Sequence, residues 1–334
     1  MDSPLSRRDI LRTGFGVGAA AFLAGCSVKK DEPGKSGTTN FPTRPIEWVV
    51  PFAPGGSTDL IARQMAKSLE KPLKQQVVVV NKDGAAGAVG TKDVISGQPD
   101  GYKMVFSPSS LFAITPHLQQ SATKIGLEEL RIITGLTVEN ICLLVQKDSK
   151  YKTLDDLLND KGATLKYGHS GVGTGLYLAQ TLFYKQAGFN ATDVPFGGTG
   201  PSITALLGKQ VDIGASHLAE THKQVATGEL RRLAMFTAER TPLLPDVPTM
   251  KEKGFNVVVD QMRFVAVPPK VPDEIANVLA NAFKEAVKTP EHEKFIKDNY
   301  IERRELPGPE LTKQIQADSE RYKAALAAVG ITPK

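Results

Sequence analysis

An apolar strand that runs into a glycine loop and then into a helix limits what this chain can fold into more than any other feature. The order occurs in two separate stretches. Ile46–Val50 reads as a strand, residues 51–57 as a loop with two glycines, and 58–70 as a helix with Ile61, Met65 and Leu69 on one face. Residues 76–80 make the next strand, 81–90 a glycine-rich stretch leading into a short helix to 95, and 102–106 a third strand ending at Ser107-Pro108-Ser109-Ser110. The order returns as strand 164–167, loop 168–175 and helix 176–187, then as 193–196, 197–201 and 202–207, with further strands at 211–215 and 230–236. In each stretch the first two loops fall roughly thirty residues apart, as βα units require. Continuous apolar strands alternating with helices imply parallel sheet covered on both faces. The expected class is therefore α/β, with two doubly wound lobes. Lobe 1 is expected at 41–138 plus 255–334 and lobe 2 at 139–254. The β-rich stretches 131–146 and 256–267 are the candidate crossings. Pro272 and Pro309 suit first-turn positions of C-terminal helices, and Ile275, Val278, Leu279 and Phe283 give such a helix an apolar stripe for lobe 1.

A chain of 334 residues, 41% apolar and 23% charged, is long enough for two such lobes and excludes disordered, collagen-like and coiled-coil classes. The net charge of +5 is scattered, with no run of five or six basic residues, which argues against nucleic acid as a partner. No apolar run approaches the ~20 residues of a membrane span. The N-terminus reads as an address. Ser6-Arg7-Arg8-Asp9-Ile10-Leu11 resembles a twin-arginine export signal, residues 14–25 are weakly apolar, and Leu23-Ala24-Gly25-Cys26 resembles a lipobox. Residues 1–25 are expected to be cleaved and Cys26 lipidated, with 26–40 a polar tether. The protein is thus expected in the periplasm or at the cell surface, touching membrane only through its anchor. Cys142, in an apolar run, then has no partner for an intramolecular disulfide.

Three loops can carry binding chemistry. Gly55, Gly56, Ser57 and Thr58 open one helix. Ser170, Gly171, Gly173 and Thr174 precede a second, and Gly198 and Thr199 a third. Glycine lets backbone amides approach a ligand, hydroxyls add donors, and a helix start adds unpaired N–H groups with partial positive charge, so each loop suits an anion. Helix capping alone would also explain these residues. Asp59 would repel an anion it faced and is better suited to holding loop amides. Ser109 and His169 stand in ligand-type loops, and Asp212 could brace a loop or a lobe–lobe contact. Enzyme motifs fail. A Walker loop lacks its lysine, Leu176 stands where a dinucleotide fingerprint needs glycine, and Val172 interrupts a nucleophile elbow through Ser170. His217 and His222 are not at helical metal spacing. Neither a metal nor a cofactor is expected.

Phe41-Pro42-Thr43-Arg44-Pro45-Ile46, the run Pro51-Phe52-Ala53-Pro54-Gly55-Gly56-Ser57-Thr58-Asp59, Asp100-Gly101-Tyr102, Val194-Pro195-Phe196, Gly208-Lys209-Gln210-Val211-Asp212 and Leu244-Pro245-Asp246-Val247-Pro248-Thr249 stand in this order. Together they resemble the substrate-binding receptors of tripartite tricarboxylate transporters, the Bug or TctC-like family, from about residue 41 to 331. The resemblance implies a two-lobe periplasmic-binding-protein fold of the second type. It also implies capture of a small organic carboxylate in a ligand cleft between the two lobes, by amides and hydroxyls of the three loops, and delivery to membrane permease subunits. Phe196 and Gly197 stand where the family often has Tyr and Lys, and Tyr177 stands near a common His, so the distal group of the ligand stays open. Four to six charge-assisted donors at roughly 1.5–3 kcal/mol each reach micromolar affinity, about −8 kcal/mol, without a site arginine. A carboxylate sensor or scaffold with a signalling partner, and a hydrolase using Ser170, are the competing readings.

Overall fold

In the computed structural model, residues 40–119 and 125–332 are described. The export signal, Cys26 and nearly all of the expected tether lie outside them.

The first stretch folds as expected into β1 (Ile46–Val50), α1 (Ser57–Leu73), β2 (Val77–Asn81), α2 (Ala88–Ile95) and β3 (Lys103–Pro108). Two single-turn helices follow, α3 (Ser110–Ala113) and α4 (Thr115–Leu118), and then β4 (Arg131–Glu139). The second stretch is β5 (Ile141–Gln146), α5 (Leu154–Leu158), β6 (Thr164–His169), α6 (Gly175–Ala187), β7 (Asn190–Pro195), α7 (Thr199–Leu207), β8 (Ile213–His217), α8 (Leu218–Ala226) and β9 (Leu230–Met235). The chain then returns through β10 (Gln261–Val267), α9 (Asp273–Ala286), α10 (Pro290–Asp298), β11 (Glu302–Pro307) and α11 (Gly308–Ala328). Helix α7 starts earlier than its apolar pattern suggested, because Pro201 is tolerated in a first turn that needs no N–H donor from it.

Two sheets result, ordered β11-β4-β10-β3-β1-β2 and β7-β6-β8-β5-β9. The strand–loop–helix units pair in parallel, as β2-β1-β3 and β7-β6-β8. The strands that carry the chain between the sheets pair antiparallel, β10 with β3 and β4, and β5 with β8 and β9. A strand returning from the other sheet enters from the opposite end, so the expected parallel arrangement holds for three strands in each sheet. The two crossings lie together. Gln261 is in register with Glu139, Val259 N–H donates to Phe236 O at 3.0 Å, and Phe236 N–H to Ile141 O at 2.9 Å.

Each sheet has its own aromatic centre. Trp48, the sole tryptophan, is buried in β1 with its ring centroid 5.2 Å from Phe106 and 5.4 Å from Phe283 of α9. Phe183 of α6 packs on Tyr184 and Phe255 at 5.1 and 5.3 Å. Burying one such ring contributes on the order of 2–3 kcal/mol. The stripe expected on the C-terminal helix is only partly buried. Leu279 and Phe283 are in the core, whereas Ile275 and Val278 lie at its margin. Cys142 in β5 is buried, and burial raises its thiol above the ordinary range. None of the described helices is long and apolar enough to cross a membrane.

Candidate functional site

The glycine loops follow the carboxyl ends of parallel strands, where open α/β sheets place their ligands. Loops from both sheets meet there around a cleft with an empty volume of about 480 Å³, its mouth included.

From the first sheet, the loop after β1 brings Gly56, Ser57 and Thr58 to the cleft wall. Gly55 turns it with φ +86°, and α1 starts at Gly56 without a side-chain cap. Asp59 does not line the cleft. Its carboxylate accepts Gly55 N–H, Arg63 Nε–H and Asn81 Nδ2–H, each at 3.0 Å, and so ties the loop to β2. Burial opposes the charged form of Asp59, but these donors hold its pKa below the usual carboxylate range.

From the second sheet come Ser170 and Thr174 before α6, and Gly198, Thr199 and Gly200 at the start of α7. Thr174 caps α6, accepting Tyr177 N–H at 3.3 Å, and Ser170 Oγ donates to Thr174 Oγ1 at 3.2 Å. Helix α7 starts at Gly198 with no side-chain cap, and a Cβ on Gly198 or Gly200 would meet nothing within 4 Å. Its first-turn amides are therefore open to a ligand. Gly171 and Gly173 shape their loop with φ of +113° and +91°. Val172 O and Gly173 O accept bonds from Gln119 Nε2 and Thr115 Oγ1 of the first-sheet side at 2.9 and 3.1 Å.

Three other sequence candidates stand back from the cleft. His169 is fully buried. Its Nδ1 accepts Gly171 N–H at 3.1 Å, which leaves Nε2–H to face Asp193 Oδ2 at 3.3 Å. Burial keeps this ring harder to protonate than usual despite Asp193. Ser109 is bonded to β10, its Oγ accepting Met262 N–H at 3.1 Å. Asp212 lies before β8, at the end of the sheet away from the glycine loops, where Oδ2 accepts Lys166 N–H at 2.8 Å. Among the described residues no cluster of His, Cys, Asp and Glu has metal-ligand geometry.

The cleft also holds charged residues that the loop motifs do not reveal. Arg263 of β10 lines it with a side chain 3% exposed, its Nε 2.5 Å from Glu139 Oε2, and Glu139 is 1% exposed. The Arg263 guanidinium lies 5.8 Å over the Phe52 ring. A site arginine is therefore present, although the binding arithmetic did not require one. His217 ends β8 and Glu220 opens α8. His217 Nδ1 lies 3.2 Å from Glu220 Oε2 and Nε2 lies 3.0 Å from Gln261 Oε1. Both ring nitrogens face acceptors, so the imidazolium satisfies the site best. Burial opposes its charge, but Glu139 and Glu220 outweigh burial and raise its pKa above 6.5. Burial likewise works against an ionised Glu220, yet His217 and the N–H groups of Ser57 and His217 lower its pKa.

These directions set a pH dependence. The His217 contribution to stability is full below about pH 6.5 and is lost as pH rises through the folded-state pKa. The Glu220 contribution is full above about pH 4.5 and is lost as pH falls through its own lowered value. The stability advantage of wild type over His217→Gln, read from unfolding midpoints, should peak between about pH 5 and 6.5 and shrink toward pH 9. An advantage that grew with pH would contradict the pairing.

Comparison with known proteins adds four observations. Residues 61–331 match the family model described as tripartite tricarboxylate transporter family receptor. Protein BugT of Bordetella pertussis (strain Tohama I) is 32% identical over 245 residues, 72% of this chain and 75% of that protein. Among solved structures, periplasmic binding protein BugD superposes with a TM-score of 0.83 at 27% identity, over 88% of this chain and all of that one. MatC of Rhodopseudomonas palustris with bound malate gives 0.78 at 26% identity, over 86% of this chain and all of MatC.

Proposed function

The chain belongs to the tripartite tricarboxylate transporter receptor family, and from that premise we propose that it captures one small organic carboxylate between its lobes and delivers it to the membrane subunits of a transporter of that type. As a family member it is a solute-binding receptor and not an enzyme, with the two-lobe fold of the periplasmic binding proteins. The observation that carries the ligand class is the meeting, in one cleft, of Ser57 and Thr58 at α1, Ser170 and Thr174 at α6, and the uncapped Gly198–Thr199 start of α7. Malate in the related MatC structure supports the same class.

Gly56, Ser57, Thr58, Ser170, Thr174, Gly198 and Thr199 contact the ligand in this reading. Gly55, Asp59, His169, Gly171 and Gly173 shape the loops, and Ser109 and Asp212 brace the strands behind them. The lobes are 41–138 plus 255–334 and 139–254. This division follows the strands of the two sheets, and closure is a hinge motion at the paired crossings. Ligand favours the closed form because only there do donors from both lobes reach it. Export through the twin-arginine-like signal and lipidation at Cys26 would hold the receptor at the outer face of a membrane, beside its permease.

Thermal-shift screening of the purified protein against mono-, di- and tricarboxylates, followed by calorimetry, tests the reading. The expected result is a saturating, 1:1 isotherm with the acid recovered unchanged. Turnover of an ester that disappears in Ser170→Ala would overturn it.

A further inference from the structure

One carboxylate in the cleft belongs to the protein itself, and it occupies a place built for an anion. Glu220 reaches from α8 to the amino end of α1, where its Oε1 accepts the Ser57 N–H at 3.1 Å. Its Oε2 accepts the backbone N–H of His217 at 3.1 Å and faces His217 Nδ1 at 3.2 Å. A Cβ on Gly56 would stand 3.6 Å from Glu220 Oε1, so this carboxylate fills the space in front of the helix start. The partial positive charge of α1 is already answered from within.

The remaining cations are matched too. His217 faces Glu220, and Arg263 faces Glu139. The cleft's unanswered donors are of another kind. They are the uncapped first turn of α7 and Arg263 Nη1, which is buried without a hydrogen-bond partner. They can take one carboxylate. A second carboxylate reaching α1 would meet Glu220 at short range in a poorly hydrated site, where like charges repel strongly. An ionised carboxylate accepts hydrogen bonds and donates none, so the group that Glu220 welcomes is a donor.

We propose, resting on the carboxylate-receptor reading above, that Glu220 at the α1 terminus determines specificity. It admits acids with a single ionised carboxylate and a neutral or cationic donor at the far end, and it disfavours dicarboxylates.

The test compares succinate, glutarate and adipate with their monoamides, which match them in length but carry one charge and a donating amide. Calorimetry is run at pH 7.5 on the wild type, Glu220→Gln, Glu220→Ala and Glu220→Asp, each checked for fold by circular dichroism and unfolding midpoint. The wild type should bind the best monoamide at least tenfold more tightly than its diacid. Glu220→Gln and Glu220→Ala should each cut that ratio at least tenfold, and Glu220→Asp should keep it. A wild type that binds diacids as well as monoamides, or an unchanged ratio in either folded neutral variant, would overturn the assignment while leaving a carboxylate receptor. Failure of every acid and amide to bind the wild type would overturn the receptor reading and this inference with it.

Discussion

Arg263→Met is expected to destabilise the protein by about 3–5 kcal/mol, the cost of leaving a buried charge without its partner. Arg263 sits in β10, between β3 and β4, and both it and Glu139 are almost wholly removed from water. Without the guanidinium, Glu139 is left as a buried charge that has lost its partner. The pair itself is a different matter. Replacing both residues, as Arg263→Met with Glu139→Leu, removes two desolvated charges together and should recover most of the loss. Denaturant unfolding of the two single variants and the double variant measures this coupling. A loss below about 1 kcal/mol in Arg263→Met would mean that the pair is hydrated rather than buried. Acid binding should also weaken in the double variant, because Arg263 faces the cleft as well as Glu139.

Gly56→Glu and Gly171→Glu should each lower affinity for the captured acid at least a thousandfold, about 4 kcal/mol. The causes differ. At Gly56 the new carboxylate enters the cleft beside Ser57, in space that Glu220 already shares. At Gly171 the backbone has φ +113°, which a residue with a Cβ adopts only under strain, and the loop that carries Ser170 and Thr174 would have to rearrange. Gly56→Ala separates bulk from charge. Its methyl meets Glu220 Oε1 at an ordinary 3.6 Å, so the fold and most of the affinity should survive. Calorimetry on the folded variants is the measurement. Normal affinity in both glutamate variants would remove these loops from the site.

The strand–loop–helix units were legible because each carries its own local signal. An apolar run of strand length, a glycine cluster and a helical stripe place β1, α1, β6 and α6 within a few residues of where they lie. Strand β11 was missed for the converse reason. Glu302, Arg303, Arg304 and Glu305 give it no apolar alternation, since it is an edge strand paired only with β4. The loop residues of the site were readable from the chemistry of glycine, hydroxyl and helix start. Which of them face the ligand was not, because Asp59, His169 and Ser109 are turned to partners in adjoining elements.

The buried charges were the larger omission, and each left a trace. Arg263 is the single charge in β10, where apolar residues flank it on both sides, and Glu139 is the last residue of β4. A lone ion in a strand that must be buried on both faces requires a partner, and pairing across β4 and β10 supplies it. His217 and Glu220 have the spacing of a helix-capping pair, and the structure shows half of that arrangement at the start of α8, with Glu220 Oε2 accepting the His217 N–H. Their second role, meeting α1 across the cleft, depends on the approach of the two lobes and has no local signature.

A crystal structure of the protein with the acid identified by calorimetry would show where the carboxylate is held. A carboxylate of that acid should lie within about 3 Å of the α7 first-turn amides and of the Ser170 or Thr174 hydroxyl, enclosed by residues from both sheets. An acid seated instead in the surface hollow beside Asp148, Lys209 and Asp212, with the cleft between the lobes holding none, would contradict that placement.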